Sequence, residues 1–165
     1  MILIEDTRQH KNKHLNVHRY CQDNNIEIVP MCLNVGDYML AEKVNGKVVP
    51  IGNTSCDTKA TILECANDLY TDKLAFNKKY KKCLKDGIKL IVLVEEKVNN
   101  LDELVAWKSK HSRINGRFLL DMIHTIQVSY GVKFVFCDRN DTPIKLLELL
   151  GANKNENRET YNGKH

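Results

Sequence analysis

The sequence feature that most constrains the fold is residues 88–95, IKLIVLVE, a nearly continuous apolar run. A strand with one solvent-exposed face alternates apolar and polar residues, whereas a run like this one is typical of a strand that is covered on both faces. We therefore predict a central strand at residues 88–95, in a sheet that has further structure packed against each side.

Shorter segments with strand-like patterns lie before and after the central strand. The turn signal NGK at residues 45–47 separates two of them, and Pro30 interrupts an edge-type strand. The strands on either side of the turn at residues 34–36 are expected to be neighbours. The predicted strands lie at residues 1–5, 26–33, 38–44, 48–52, 55–59, 88–95 and 132–137.

Five segments are predicted to be helices. The last has Thr142 as its cap, Pro143 in its first turn and Gly151 just past its end. Strands that form a meander first and then alternate with helices indicate a mixed α/β fold around one sheet. The predicted helices lie at residues 15–24, 61–86, 101–107, 114–131 and 142–151, and the apolar face of the second contains Leu63, Leu69, Phe76, Tyr80 and Leu84.

Length and composition argue against several classes of protein. The chain has 165 residues, 42% hydrophobic and 28% charged, which is typical of one folded domain. We expect that domain at residues 1–151 and a flexible polar tail at residues 152–165. No run approaches the roughly 20 apolar residues of a membrane span and no secretory signal opens the chain, so a cytoplasmic protein is expected. The cysteines form no C-x-x-C pair, which argues against a structural zinc site.

Charged residues cluster at the ends of predicted strands. Asp57 and Lys59 are two apart on a strand, so both side chains project from one face of the sheet while Thr58 points the other way. Asp37, on a neighbouring strand, is expected to stand beside Asp57, and the Thr58 carbonyl adds a third oxygen. These are the oxygen ligands that Mg²⁺ binds, together with water and substrate phosphate. Asp6 with Arg8, and Glu64, are the other charged residues near strand ends.

Such a site suits phosphodiester hydrolysis. The cation neutralises phosphate charge and lowers the pKa of its bound water, while Lys59 stabilises or positions the anion. An Asp–Lys pair on a strand is by itself a weak signal, because most such pairs are solvated. The sequence contains no Gly-rich phosphate loop, which argues against a nucleotide-binding protein.

Three motifs together resemble those of the XPF-type nuclease domain, a branch of the PD-(D/E)XK superfamily. IEDTRQ at residues 4–9 resembles the family's D-x-R-E strand end, VGDY at 35–38 its G-D motif, and CDTK at 56–59 its E-R-K motif. The motifs stand in the family's order, and the helix and buried strand that follow are similar to those of its small stand-alone phage and bacterial members. The resemblance implies a restriction-endonuclease-like fold, a mixed central β-sheet flanked by helices.

The resemblance also implies a function. The chain is expected to be a Mg²⁺- or Mn²⁺-dependent endonuclease acting on branched or junction DNA in recombination or repair, working as a homodimer in a bacterial or phage-infected cell. Asp37 and Asp57 would carry the metal, Lys59 would be the catalytic lysine, Asp6 would complete the acidic cluster, and Arg8 would lie beside the scissile phosphate.

Several positions depart from the family pattern. Gln9 stands where the first motif has Glu, Asp57 replaces the Glu of E-R-K, and Thr58 replaces its Arg, which removes a bidentate phosphate partner. The family's acid after the lysine has no match at its spacing, and Glu64, one residue further, is its nearest substitute. These departures keep open an alternative, a structure-specific DNA-binding module that has the same fold and does not cleave.

Basic residues outside these motifs are candidates for DNA contact. Four lysines recur at i, i+3, i+4 and i+7 on one helix face, and two arginines lie in and just after a basic loop. A merely solvated surface remains the alternative for both sets. The candidates are Lys78, Lys81, Lys82 and Lys85 on the helix, with Arg113 and Arg117 in the second patch.

Three histidines are spaced four residues apart near the N-terminus, at His10, His14 and His18. That spacing places ligands on one helix face, but no H-E-x-x-H motif and no acidic partner accompany them. We therefore expect solvated side chains, or side chains near DNA, in preference to a zinc site.

Overall fold

The computed structural model describes residues 1–8, 14–71 and 73–152, with the backbone alone for residues 73–76. Gln9, His10 and nearly all of the predicted tail lie outside the described residues. The elements are β1 (Ile2–Asp6), α1 (Leu15–Asp23), β2 (Glu27–Met31), β3 (Tyr38–Val44), β4 (Lys47–Pro50), β5 (Thr54–Lys59), α2 (Ile62–Thr71), α3 (Lys73–Asp86), β6 (Lys89–Val94), a 3₁₀ helix (Leu101–Ala106), α4 (Gly116–Tyr130), β7 (Lys133–Phe136) and α5 (Thr142–Leu150).

The described strands form one mixed sheet in the order β2-β1-β3-β5-β6-β7, with β4 paired to β3. β1 and β2 are parallel, as are β5, β6 and β7, while β3 runs antiparallel to both β1 and β5. The β3–β4 turn falls where it was predicted, and Asn45 and Gly46 both have positive φ, as a type I′ hairpin requires. The predicted mixed α/β class is therefore confirmed.

β6 is covered on both faces, as its continuous apolar run predicts. Leu90, Val92 and Val94 pack with α2, α3 and α4 on one face of the sheet. Ile91 and Leu93 pack with α1 and α5 on the other. Full burial of an aliphatic side chain contributes about 1.5–3 kcal/mol, so this strand stabilises the packing of both helical layers.

None of the helices in the described part of the chain has the length and apolar character that a membrane span needs.

The expectation that β2 and β3 are neighbours is wrong, because β1 lies between them. Helix α1 carries the chain back over the sheet, so β2 pairs in parallel with one side of β1, and β3 pairs antiparallel with the other side. β2 is an edge strand, where Pro30 costs no ladder hydrogen bond with a further strand.

The predicted long helix at 61–86 is two helices, α2 and α3. Leu69 and Tyr80 are buried as expected, but Leu84 is 56% exposed and Cys83 is buried in its place. The reason is that each helix packs its own face, so one apolar stripe does not continue across both. At α5, the residue before the helix is Asp141 and Thr142 is buried in the first turn, so Thr142 is not the cap.

Candidate active site

Three separated motifs meet at one edge of the sheet because of the strand directions. β1 and β5 end at this edge, and the antiparallel β3 begins there, one residue after Asp37. The Asp37 N–H donates to the Cys56 carbonyl at 2.7 Å, and the Asp37 carbonyl accepts from the Asp6 N–H at 2.8 Å. Backbone hydrogen bonds thus hold Asp37 between β1 and β5.

Gly36 allows the chain to approach β5 closely before Asp37. Its φ is +79°, in the left-handed region that favours glycine. A Cβ at this position would overlap the Ser55 hydroxyl and lie 2.9 Å from the Cys56 carbonyl oxygen. The Ser55 hydroxyl itself donates to the Val35 carbonyl at 2.6 Å, which ties the loop to the strand.

The variant Gly36→Ala is expected to destabilise the fold by about 1–3 kcal/mol, because the left-handed φ and the overlap with Ser55 add. Thermal unfolding monitored by circular dichroism measures the loss. Gly52→Ala is the matched control, since Gly52 also has positive φ, +71°, but its Cβ would meet nothing within 4 Å. Equal losses in the two variants would contradict the close-approach role of Gly36.

Asp57 is 3% exposed and lies between two lysines. Its Oδ1 is 3.2 Å from Lys59 Nζ, and its Oδ2 accepts a hydrogen bond from Lys79 Nζ. Burial alone would raise the pKa of Asp57, but the two ammonium groups outweigh it and lower the pKa below its ordinary value. The group is therefore a carboxylate at neutral pH.

Lys59 is 9% exposed and pairs with two carboxylates. The first is Asp57, which the two-residue spacing on β5 predicts. The second is Asp68 on α2, whose Oδ2 lies 2.8 Å from Lys59 Nζ. Burial alone would lower the pKa of Lys59, yet Asp57 and Asp68 outweigh it and raise the pKa above its ordinary value. Lys59 is thus an ammonium that faces the site, and it is not a proton acceptor in this arrangement.

Asp37 receives two hydrogen bonds from one residue. Its Oδ2 accepts from the Thr58 N–H at 2.8 Å and from the Thr58 hydroxyl at 2.6 Å. As predicted, the Thr58 side chain points to the opposite face of the sheet from Asp57, where its hydroxyl lies 3.1 Å from His14 Nε2.

Asp6 holds Arg8 at the rim of the site. Its carboxylate accepts from Arg8 Nε at 2.8 Å, from Arg8 Nη2 at 2.6 Å and from the Arg8 backbone N–H at 2.8 Å. The Leu33 N–H donates a further bond at 3.0 Å. The hydrogen bond from Arg8 lowers the pKa of Asp6. Four donors already occupy the carboxylate, so Asp6 acts here as a support for Arg8.

One open cleft of about 460 Å³ is lined by Asp6, Arg8, Asp37, Asp57 and Lys59. It contains most of the predicted catalytic set, together with Lys82, the member of the α3 stripe that reaches it. Lys78, Lys81 and Lys85 are exposed on α3 outside the lining, and Arg113 lines a separate cleft with Tyr70 and Phe118. The charged residues that line the first cleft are Asp6, Arg8, Asp37, Asp57, Lys59, Lys79 and Lys82.

Glu64 lies outside the lining of this cleft and stabilises the start of α2. Its backbone N–H donates to the Thr61 hydroxyl at 3.0 Å, and its Oε2 accepts from the Ala60 N–H at 2.7 Å. This arrangement is close to a capping box, in which the side chain three residues into the helix reaches back to a free N–H. Its proposed role as a further site acid remains a prediction.

Sequence reasoning missed two residues of the site, Lys79 and Asp68. Lys79 lies three residues before Lys82 on α3, so the same helix period that gave the lysine stripe would have placed both on one side. Asp68 lies four residues after Glu64 on α2, again one turn along the same face.

His14 contradicts the expectation that its side chain is solvated, because the structure buries it.

The donor set fits a cation that keeps much of its water. In the described part of the chain, no three His, Cys, Asp or Glu side chains are grouped as metal ligands. Of the three carboxylates that line the cleft, Asp6 is taken up by Arg8 and Leu33, which leaves Asp37 and Asp57 as the candidate ligands. One or two carboxylates completed by water and substrate phosphate are the usual protein share of a Mg²⁺ site. The residues therefore fit Mg²⁺ or Mn²⁺ better than a metal bound wholly by protein.

A mixed central sheet flanked by helices, with Asp37, Asp57 and Lys59 in one cleft at the strand ends, is a restriction-endonuclease-like α/β arrangement. Comparison with known families identifies the ERCC4 domain at residues 5–150, which is most of the chain, so the chain belongs to the ERCC4 domain family. The resemblance to the XPF-type nuclease domain is thereby confirmed.

Solved structures with the same fold include XPF from Aeropyrum pernix, at 16% sequence identity and a TM-score of 0.66, where the match covers 96% of this chain and 69% of that one. A second is XPF from Aeropyrum pernix in complex with DNA, at 16% identity and a TM-score of 0.65, covering 94% and 66%. Among curated protein sequences, no match was found.

Proposed function

We propose that this chain is a Mg²⁺- or Mn²⁺-dependent DNA endonuclease that hydrolyses phosphodiester bonds in branched DNA, such as a junction, fork or flap. The observation that carries the proposal is the single cleft in which Asp37 and Asp57 stand with Lys59 and Arg8. Membership of the ERCC4 domain family and the fold shared with XPF support a nuclease.

The metal would be held by the carboxylates of Asp37 and Asp57 and by the Thr58 carbonyl. When bound, it would neutralise charge on the phosphate and supply an activated water. Asp57 suits this role because its lowered pKa keeps it ionised at neutral pH. Lys79 and Lys59 neutralise it in the structure described above, so a cation would take over part of that pairing.

Lys59 would stabilise the negative charge that develops on the phosphate. Its raised pKa keeps it an ammonium, and Asp68 fixes its position from α2. A preorganised cation of this kind in a partly closed site typically contributes about 10²–10³-fold in rate. The Arg8 side chain is 64% exposed, and its guanidinium is paired with Asp6 through Nε and Nη2. Its remaining N–H groups would contact a phosphate at the rim.

The exposed lysines of α3 would guide the DNA backbone toward the cleft. Lys82 lines the cleft, with its Nζ 3.5 Å from Asn34 Oδ1, and Lys78, Lys81 and Lys85 continue along the exposed surface. A solved relative in complex with DNA supports DNA as the partner. The second patch, with Arg113 and Arg117, would offer a further contact beside the exposed ring of Phe118.

Replacing Lys78, Lys81 and Lys85 together by Gln is expected to weaken DNA binding and to flatten its salt dependence. Each phosphate contact contributes about 0.9 to the slope of log K against log salt, so the slope should fall by up to about 3. Fluorescence anisotropy at several salt concentrations measures it. The matched control replaces Lys43, Lys47 and Lys133, which lie at the strand ends furthest from the cleft. Equal slopes in both triple variants would indicate that the α3 face is only solvated.

The preference for branched DNA is tested by comparing labelled four-way, splayed and linear duplexes of matched sequence with Mg²⁺ present. Product from the branched substrates and little from the linear duplex is the expected result. Equal cutting of all three would leave a nuclease without the proposed structural specificity.

A second candidate is a DNA-binding module that does not cleave, and one observation favours it. Both Asp57 oxygens face lysine ammonium groups, so Lys79 competes with a metal for this carboxylate. A binder of this kind would retain junction affinity in Asp57→Asn and would yield no product with either metal.

Self-association is a further part of the proposal. Val128 on α4 is 87% exposed on one face of the sheet, and Ile144 on α5 is 56% exposed on the other, so either helix offers an apolar contact. Two-fold dimers are the commonest assembly, and a junction presents two equivalent strands to a dimer. Sedimentation equilibrium of the wild type and of Val128→Glu would test it, with a dimer that the substitution dissociates as the expected result.

A further inference from the structure

We infer that His14 is a positioning residue that fixes the Asp37 carboxylate from the opposite face of the sheet, through the Thr58 hydroxyl. The inference rests on the proposed function in that Asp37 is taken as a site residue. The contacts that carry it are His14 Nε2 to Thr58 Oγ1 at 3.1 Å and Thr58 Oγ1 to Asp37 Oδ2 at 2.6 Å.

The direction of these hydrogen bonds follows from the chemistry of the groups. An ionised carboxylate only accepts, so the single proton of the Thr58 hydroxyl points to Asp37 Oδ2. The hydroxyl oxygen must then accept at its other contact, and His14 Nε2 is the donor. The proton on Nε2 is thereby assigned from the network. An Nε2–H bond polarises the hydroxyl and strengthens its bond to the carboxylate.

Because these polar groups are buried, they have few possible hydrogen-bond partners other than one another. Thr58 is 0% exposed, His14 is 3% exposed, and Glu95, whose Oε1 lies 3.6 Å from His14 Nδ1, is 5% exposed. Burying polar groups is unfavourable unless they are paired. The His14 side chain makes no capping hydrogen bond to α1, although it occupies the cap position of that helix. Its ring packs edge-on against Tyr38 at 5.6 Å, which fixes the plane in which Nε2 faces Thr58.

Asp37 would lose orientation without this support. If the Thr58 hydroxyl were removed, Asp37 Oδ2 would keep the Thr58 backbone N–H, and the carboxylate could turn more freely about its side-chain bonds. If His14 were removed, the hydroxyl would lose the donor that polarises it. Groups that orient metal-binding carboxylates typically account for about 10–100-fold in metal affinity or activity. His14 and Thr58 would therefore set how well the cleft holds its cation, without touching the cation or the DNA through their side chains.

Four variants and one control variant test the inference through the Mg²⁺ concentration that gives half-maximal cleavage. Thr58→Val and His14→Phe remove the hydroxyl and the Nε2 donor, and each should raise that concentration by about 10–100-fold. Thr58→Ser and His14→Gln restore a hydroxyl and a side-chain N–H, and should recover much of the wild-type value. His124→Phe, the same change at an exposed position of α4, should leave it unaltered.

A second readout keeps the inference separate from the proposed function. The carboxyl ¹³C resonance of Asp37, assigned with Asp37→Asn, reports its hydrogen bonding whether or not DNA is cut. We expect this resonance to shift in Thr58→Val and His14→Phe, and to remain near its wild-type position in Thr58→Ser and in His124→Phe. An unshifted resonance in Thr58→Val and His14→Phe would overturn the inference even if the wild type cleaves. A wild type that cuts no substrate would instead overturn the proposed function.

Discussion

The Asp57→Asn variant is expected to lose about 10³-fold in cleavage rate and also to unfold more readily than the wild type. A metal ligand contributes several kcal/mol of transition-state stabilisation, and about 4 kcal/mol corresponds to that factor. The fold is affected as well, because the carboxylate is buried between Lys59 and Lys79. Its loss leaves two like charges facing each other. Breaking a fully buried pair costs about 3–5 kcal/mol, and the open cleft screens the lysines, so we expect about 2 kcal/mol.

Single-turnover cleavage and urea unfolding of the same preparations measure the two effects. The pH dependence supplies an internal check. The folded pKa of Asp57 lies below its ordinary value of 3.8, so its stabilisation is complete above that pH and is lost as the pH falls through the folded pKa. The difference in unfolding free energy between wild type and variant should therefore shrink on acidification. A variant as stable as the wild type at neutral pH would contradict the ion-pair account.

The Lys59→Met variant is expected to reduce the cleavage rate by about 10²–10³-fold while binding DNA nearly as well as the wild type. Lys59 is 9% exposed and fixed by Asp57 and Asp68, so its charge acts at one place in the cleft and not along the DNA. Because its raised pKa keeps Lys59 an ammonium, Lys59 is not the proton acceptor of the reaction. The rate that Lys59→Met loses should therefore not be recovered by raising the pH.

Lys82→Met is the matched control for this loss. It removes the same charge from the same cleft, but at an exposed position on α3, and should lower DNA affinity more than the cleavage rate. Measuring binding by anisotropy and the chemical step by single turnover separates the two effects. A Lys59→Met enzyme with a wild-type rate for the chemical step would remove Lys59 from the proposed mechanism.

The fold could be predicted from the sequence wherever periodicity is strong. The apolar run at residues 88–95 predicted a strand covered on both faces, and packing of alternate residues into two clusters confirmed it. Helix α4 ends at Tyr130 and is capped by Gly131 in the left-handed conformation, at the glycine that the sequence indicates as its end. The neighbours of β1 could not be predicted, because nothing local to β2 or β3 encodes which side of a shared strand each will pair with.

The part of the candidate site that lies at strand ends could be predicted from the sequence. Asp37, Asp57 and Lys59 follow from alternation along a strand and from motif order, and the structure brings them into one cleft. Lys79 and His14 could not be found in that way. Lys79 reaches Asp57 from a helix 22 residues further along, and His14 reaches Thr58 across 44 residues. Both contacts depend on how helices pack on the sheet, which local patterns do not specify.

The measurement that tests the central claim most directly is cleavage of a labelled four-way junction by the wild type and by Asp37→Asn, each with Mg²⁺, Mn²⁺ or EDTA. Asp37→Asn suits it because the amide oxygen can still accept from Thr58, so the variant should fold normally. We expect the wild type to cut with either metal, to be inactive in EDTA, and to lose cutting in Asp37→Asn while junction binding persists. A wild type that binds the junction but yields no product with either metal would contradict the nuclease assignment.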